Sequence, residues 1–435
     1  MKDRWDVVVV GAGYVGLTLS IHLVLKGLRV LAIDQDEARV AALARGEIGI
    51  YETGIREALR EAIDSGRFGL DHNGARAAAW ILATSYAPGS NRDCLPGLDT
   101  VCANAKGSVL VAIRSTVPIG YTRARILPVL ERQFGTLDKD FYLVSCPERT
   151  LSGAALEELA ALPQLLGGTP GSCREAVALF ERAGIPTTTL PSLEATELAK
   201  TFTNFSRFVQ FNLSNYLGVL CQALGLSDRM ILEAVKASYP RLSFLSGAGS
   251  GTGGFCLPKD GLILAEACRE LALTEHWLKP LADFPKDQYS LNQEIIQFHQ
   301  VRVAEMTRNS ARILALGVAF KGQPVTNDTR GSVGLETVRF LLGVGRAVEV
   351  FDCTVETDEL VALGVPVAPV PVKVSRYDSV LILNNDPSYR EILLDASNRE
   401  SGVSINVYDP WRLIVRDNES IHQEAFDLTS VVEHP

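Results

Sequence analysis

The chain has 435 residues, too many for one ordinary core of roughly 100–200 residues, so two or three domains with substantial cores are expected. Its 42 basic and 51 acidic residues leave a net charge of −9, which supplies no global basic field for phosphate backbones and argues against a nucleic-acid partner. No segment approaches about 18 uninterrupted apolar residues, and the start, MKDRWDVVVVGAG, lacks a signal peptide's long apolar stretch and cleavage site, so no membrane partner and a cytoplasmic location are expected.

Short apolar runs at Val7–Val10, Val30–Ile33, Ala79–Ala83, Val109–Ile113 and Tyr142–Ser145 alternate with helical patterns and read as buried strands of a parallel sheet. After the first run, Gly11, Gly13 and Gly16 stand in G-x-G-x-x-G spacing, with Tyr14 and Val15 opening an amphipathic helix. These glycines serve a tight turn, close approach of backbone to a pyrophosphate, and helix–strand packing. Asp34 follows at the end of the second run, where a carboxylate can accept both ribose hydroxyls and repel a 2′-phosphate. NAD is therefore the expected cofactor, with FAD as its competitor.

Past Leu190-Pro191-Ser192, some thirty residues run without proline and with glycine only at 218. Ser192 is placed to cap them and Glu194 and Glu197 suit the positive helix end, so one long helix is expected, bridging domains or forming a subunit contact. Lys200 and Asn204, four apart, share a face of that helix, where a cation and an amide can stabilise an oxyanion; a solvated lysine and a surface asparagine is the alternative. Residues 247–261, GAGSGTGGFCLPKDG, hold six glycines and form a ligand loop in preference to a linker. Beyond residue 311 the alternation resumes, and a strand ending in Asp352 repeats the layout around Asp34. The expected fold is α/β, with two Rossmann-like domains, 1–191 and 306–435, joined by a long central helix within a helical middle domain, 192–305.

The eight cysteines (94, 102, 146, 173, 221, 256, 268, 353) form no C-x-x-C pair, which argues against disulfides and a metal site. Seven read as small hydrophobes. Cys256 differs, because glycines precede it and Lys259 and Asp260 follow; one cation can favour a thiolate and the carboxylate can orient water or accept a proton. Oxidation of an aldehyde to an acid requires a tetrahedral adduct from which hydride leaves, and a thiolate supplies it. Thr116 and Glu148 follow strand ends, in the crevice where α/β sheets bind ligands, Glu148 as a base acting directly or through water.

Together GAGYVG, IRSTVPIG, SCPER, ELAKTFTN, GTGGFCLPKD and GVAFKGQPVTNDTRGS resemble, in order and spacing, the UDP-glucose and GDP-mannose dehydrogenase family, over most of the chain to about residue 352. The resemblance implies oxidation of the C6 alcohol of a nucleotide sugar to a carboxylate with two NAD⁺ and a cysteine-bound intermediate, in a homodimer or larger assembly built on the central helix. It makes Cys256 the nucleophile and sets Lys200, Asn204 and Asp260 around the intermediate, with Thr116 and Glu148 in proton transfer. Lys259 and Arg330 lie toward the cofactor. Lys321 and the loop Phe244–Gly254, with Gly249 and Gly253, hold the nucleotide sugar, beside Arg149.

Three departures stand out. LATSYAP replaces a Val-Pro-Thr-Pro turn near the cofactor, leaving a hydroxyl at Ser85 or Thr84. PERTLSGAALEELAALPQLLGG is closer to enzymes acting on UDP-N-acetylhexosamines, which favours that substrate over UDP-glucose. TEHWLKPLADFPKDQYSLNQ lacks the usual helix leading out of the cysteine loop. A two-electron hydroxyacid-type dehydrogenase, or a silent NAD or nucleotide-sugar sensor, are the alternatives; the first gives Cys256 no task, and the intact Lys200, Asn204, Cys256 and Asp260 set speaks against the second.

Overall fold

The computed structural model describes residues 4–71, 76–86, 95–394, 404–414 and 424–427. The chain folds as two compact units: Met1–Thr203 with Leu262–Ala282, and Asn204–Gly261 with Asp283–Pro435.

The first unit holds an eight-stranded sheet of β1 (Arg4–Val10), β2 (Val30–Ile33), β3 (Phe68–Asp71), β4 (Arg76–Leu82), β5 (Leu110–Ile113), β6 (Tyr142–Ser145), β7 (Gln164–Gly168) and β8 (Thr187–Leu190). Their order is β3-β2-β1-β4-β5-β6-β7-β8, parallel except where β6 meets β7. Both faces are covered, which is why the strands read as continuous apolar runs. Val7 and Val9 enter one core with Leu19, Leu23 and Phe180, while Val8 and Val10 enter another with Trp80, Val111 and Phe141. A charge at either set would sit in a dry interior. β2 and β3 extend from β1 in one direction and β4 to β6 in the other, so β1 and β4 flank the switch point, beyond whose strand carboxyl ends open α/β sheets bind their ligands.

The second unit carries β9 (Ile313–Leu316), β10 (Val348–Phe351), β11 (Ser379–Ile382), β12 (Ser404–Tyr408) and β13 (Glu424–Asp427), in the order β10-β9-β11-β12-β13. Only β12–β13 is antiparallel. Ile313 and Ala315 face one core, Leu314 and Leu316 the other, repeating the alternation in β1. The likeness of the halves extends to a hydrogen bond. Asp34 Oδ2 accepts the N–H of Ala12 at 2.8 Å, and Asp352 Oδ2 accepts those of Val318 and Ala319 at 2.7 and 2.9 Å. In each half a carboxylate at a strand end holds the turn after the neighbouring strand.

The long helix is Leu193–Leu224, 32 residues and about 48 Å. Ser192 Oγ accepts the N–H of Ala195 at 3.2 Å, the cap expected from sequence. Glu197, one turn in, accepts the N–H groups of Gly120 and Thr122 at 2.6 and 3.0 Å, tying the helix to the segment after β5. Burial pushes this carboxyl up to about 7 in spite of those bonds. Other helices include Tyr14–Leu25, Glu37–Ala44, Ile55–Asp64, Cys256–Thr274, Phe284–Met306 and Val333–Gly343.

Candidate active site

In the first unit the glycine turn divides its three tasks as its spacing predicts. Gly11 has φ +100° and lies against the carbonyl of Ala83, so only glycine fits there. A Cβ on Gly16 would stand 1.8 Å from the Gly11 oxygen, which is how closely the helix packs on the turn. A Cβ on Gly13 would meet nothing within 4 Å, leaving open space beside the first turn of Tyr14–Leu25, where orphan N–H groups can donate to a pyrophosphate. Asp34 is fixed for a ribose: besides Ala12, it accepts Arg39 Nη1 at 2.9 Å through Oδ2 and the N–H of Asp36 at 3.0 Å through Oδ1. Val15 follows Tyr14 in the same first turn. These residues fit NAD. Of the two hydroxyls after β4, that of Thr84 is donated to Pro96 O at 2.7 Å, and Ser85 is exposed.

The strand ends β4, β5 and β6 point the same way as β1, so Ser85, Thr116 and Glu148 lie along the edge that carries the glycine turn. Thr116 is half-buried. Glu148 is held more tightly than a mobile base. Its Oε1 accepts the N–H groups of Arg149 and Thr150, both at 2.7 Å, and its Oε2 pairs with the buried Arg114. Burial would push this carboxyl up, but the charge of Arg114, bonds from Thr150 and the charge of Lys200 hold it below the usual carboxylate value. Lys200 is itself buried. Arg114 was not singled out in the sequence, although a cation directly after the apolar strand Leu110–Ile113 requires a partner; Gln164 Oε1 accepts its Nη1 at 2.7 Å. Arg149 donates Nη1 to Pro163 O at 3.3 Å, while its Nε is buried and without a partner among the described residues.

In the second unit the glycine loop ends earlier than the run of glycines implies: Cys256 is exposed and is the first residue of the helix Cys256–Thr274, so the positive end of its peptide dipoles faces the sulfur. Asp260, one turn on and 1 % exposed, accepts Asn204 Nδ2 at 2.6 Å and Lys259 Nζ at 2.7 Å. Lys259 therefore spends its charge on Asp260 and on the face of Phe255, 5.5 Å away. The second cation is Arg330. It clamps Asp328 through Nε and Nη2 at 2.9 and 2.6 Å and lies 4.9 Å over the same Phe255 ring. Its charge is favoured first by that bond to Asp328 and also by Cys256.

Backbone contact brings Arg330 there. Gly254 donates its N–H to Gly331 O at 2.8 Å, and a Cβ on Gly331 would come within 2.9 Å of Gly254 O. Glycine at both positions lets the two loops touch main chain to main chain. The rest of the loop is pinned by buried amides: Asn215 Oδ1 accepts the N–H of Gly249 at 2.8 Å and Asn292 Oδ1 that of Thr252 at 2.8 Å. Gly249 lies against the Trp411 ring and Gly253 against Gly331 O. Phe244, 51 % exposed, opens the loop, and Lys321 lies 5.4 Å over Phe320. The structure thus groups Cys256, Asp260, Asn204, Lys259 and Arg330 in one unit, and the glycine turn, Asp34, Thr116, Glu148, Arg149 and Lys200 in the other. No group of three or more metal-binding side chains occurs among the described residues.

A parallel sheet with a glycine turn and a strand-end aspartate at its switch point defines a dinucleotide-binding protein. The chain belongs to the UDP-glucose/GDP-mannose dehydrogenase family: the family's NAD binding domain matches residues 5–183 and its central domain residues 194–286. NAD is accordingly its cofactor. It is 24% identical over 409 residues to UDP-N-acetyl-D-mannosamine dehydrogenase of Methanococcus maripaludis (strain C7), covering 90% of this chain and 89% of that one. It is 25% identical to NDP-N-acetyl-D-galactosaminuronic acid dehydrogenase of Ralstonia nicotianae, covering 94% and 97%. Among solved structures, a UDP-glucose dehydrogenase from Pyrobaculum islandicum superposes with a TM-score of 0.77 at 25% identity over 93% of this chain and 94% of that one. No helix among the described residues is long and apolar enough to cross a membrane.

Proposed function

We propose that the chain oxidises the C6 alcohol of a UDP-sugar, a UDP-N-acetylhexosamine in preference to UDP-glucose, to the uronic acid through a covalent adduct on Cys256. The observation that carries this reading is Cys256 at a helix N-terminus, within the charge of Arg330 and one turn from the Asn204–Asp260–Lys259 cluster. When bound, NAD supplies the hydride acceptor for both oxidations. The first removes a hydride and the hydroxyl proton, the latter through Lys200 or water held by Thr116 and Glu148. Cys256 Sγ then bonds to the aldehyde carbon, giving an oxyanion that Lys200 and Asn204 stabilise. Loss of the second hydride leaves a thioester, and water oriented by Asp260 adds to its carbon, breaking the C–S bond and returning the thiolate.

Glu148, held ionised, serves as fixed negative charge and as a base through water rather than as a proton store. The loop Phe244–Gly254, Lys321 and Arg149 hold the nucleotide sugar, whose phosphates need a cation and N–H donors. The preference for an acetamido sugar rests on the Pro147-Glu148-Arg149 run and on the names of the Methanococcus and Ralstonia relatives. A homo-oligomer follows from the long helix, where Leu213, Tyr216, Leu220 and Leu224 are exposed at spacings of three and four residues. Assaying NADH and uronate with UDP-glucose, UDP-N-acetylglucosamine, UDP-N-acetylgalactosamine and UDP-N-acetylmannosamine tests the proposal. Two NADH per acid support it, and one NADH per product favours the two-electron alternative.

A further inference from the structure

Glu52 lies outside every motif discussed above. It is 5 % exposed, on the connection between the helices Glu37–Ala44 and Ile55–Asp64, and a buried carboxylate must be compensated where it sits. Its Oε2 accepts the phenolic hydroxyl of Tyr14 and, at 2.9 Å, the N–H of Gly153. That N–H is also 3.1 Å from the Tyr14 oxygen, and the neighbouring Thr53 donates Oγ1 to Gly153 O at 3.1 Å. Residues 52 and 53 thus hold both polar groups of one peptide residue, which adopts φ +93°. Leu17, Ile55 and Leu59, each three residues or more along the chain from Tyr14 or Glu52, are buried in one apolar cluster, with Leu156, three residues past Gly153, packed against it. Burial, and then the bond to and charge of Glu52, push the Tyr14 phenol well above its usual range, so it remains a donor.

The two segments that meet on Glu52 have separate tasks. Tyr14 is the first residue of the helix whose N-terminus faces the pyrophosphate, and Gly153 closes the run Arg149–Gly153 that follows Glu148. We propose that Glu52 is a positioning residue that clamps the cofactor turn at Tyr14 to the sugar-binding segment 149–153, so that the affinities for NAD and for the nucleotide sugar both depend on one carboxylate. The inference rests on the sugar-binding role proposed above for Arg149, the first residue of that segment. It needs no catalytic group, and it places the effect in binding rather than in the chemical step.

The experiment measures both KM values, kcat and direct NAD⁺ binding by calorimetry for the wild-type chain, Glu52→Ala, Glu52→Gln and Tyr14→Phe. Removing a charged acceptor that two donors share should raise both KM values about tenfold in Glu52→Ala, with kcat within about threefold. Glutamine, whose carbonyl accepts the same two donors, should restore both to within about twofold. Unchanged KM values, a rise confined to one ligand, or a fall in kcat alone would overturn the inference. Should Glu52→Ala fail to fold, Tyr14→Phe decides, since it removes one hydroxyl and unchanged NAD⁺ affinity there refutes the clamp. A wild-type chain that binds NAD⁺ but turns over no UDP-sugar refutes the proposed function instead, and the calorimetric comparison still tests the clamp.

Discussion

Substitution of Gly331 by alanine probes how Arg330 reaches the sulfur. At φ +63° an added Cβ costs about 1–2 kcal/mol from backbone strain alone. That Cβ would also lie 2.9 Å from Gly254 O and 3.1 Å from Gly254 C, both main-chain atoms that cannot swing aside. The loops must separate by a few tenths of an ångström, which weakens the 2.8 Å Gly254–Gly331 hydrogen bond, worth about 1 kcal/mol. The sum is about 2–3 kcal/mol, a fall of roughly 5 °C or more in Tm. Catalysis should suffer more than folding, because Arg330 and Phe255 move with the loops, and a displacement approaching 1 Å costs about a hundredfold in rate. Calorimetry and steady-state kinetics should therefore show a folded protein with kcat down ten- to a hundredfold. Wild-type kcat and Tm in Gly331→Ala would refute the reasoning.

Other outcomes follow from the same geometry. Gly16→Ala should lose NAD⁺ affinity by about a hundredfold or more in calorimetric titration, because its Cβ would stand 1.8 Å from Gly11 O and only movement of the turn relieves that contact. Arg114→Met should destabilise by about 3–5 kcal/mol in denaturant unfolding by leaving a buried carboxylate unpaired. It should also change the pH profile. The native Glu148 carboxyl lies below its unfolded value, so its contribution to stability is present above about pH 4.5 and lost as pH falls through the lower native value. Without Arg114 the burial effect is unopposed by that charge, so the acid limb of kcat/KM should move to higher pH; an unmoved limb would exclude Glu148 from the reaction. Iodoacetamide at pH 7.5 should label Cys256 before any other cysteine among the described residues by peptide mass spectrometry. Burial pushes Cys146 and Cys353 up to about 12, with Asp386 and Asp352 adding to Cys353, so faster labelling at exposed Cys353 would contradict this.

Legibility in the sequence followed burial. Strands whose two faces are both covered, such as Val30–Ile33 and Tyr142–Ser145, read as apolar runs and were placed to the residue. Phe68–Asp71 and Thr187–Leu190, at the two edges of the sheet, and Gln164–Gly168, which ends in two glycines, were not, because FGLD, TTTL and QLLGG carry neither an apolar run nor a clean alternation. Candidate residues stand out in the sequence where chemistry demands a residue type at fixed spacing: the glycine turn, Asp34, and Lys200 with Asn204. The side chains that hold them do not. Arg114, Gln164 and Glu52 act over separations that only folding closes, as does the tie of Glu197 to Gly120, and a lone buried charge in sequence does not name its partner. Lys259 shows the converse, since adjacency to Cys256 pointed to the sulfur, whereas the fold spends its charge on Asp260.

The central claim is a carbon–sulfur bond at Cys256. Enzyme supplied with NAD⁺ and the best UDP-sugar, quenched in acid during turnover and digested, should yield the peptide carrying Cys256 with the mass of an added nucleotide-sugar acyl group. That species should be missing from Cys256→Ala, which should form no uronate. Normal acid production by Cys256→Ala, with no adduct on the wild-type peptide, would contradict the account.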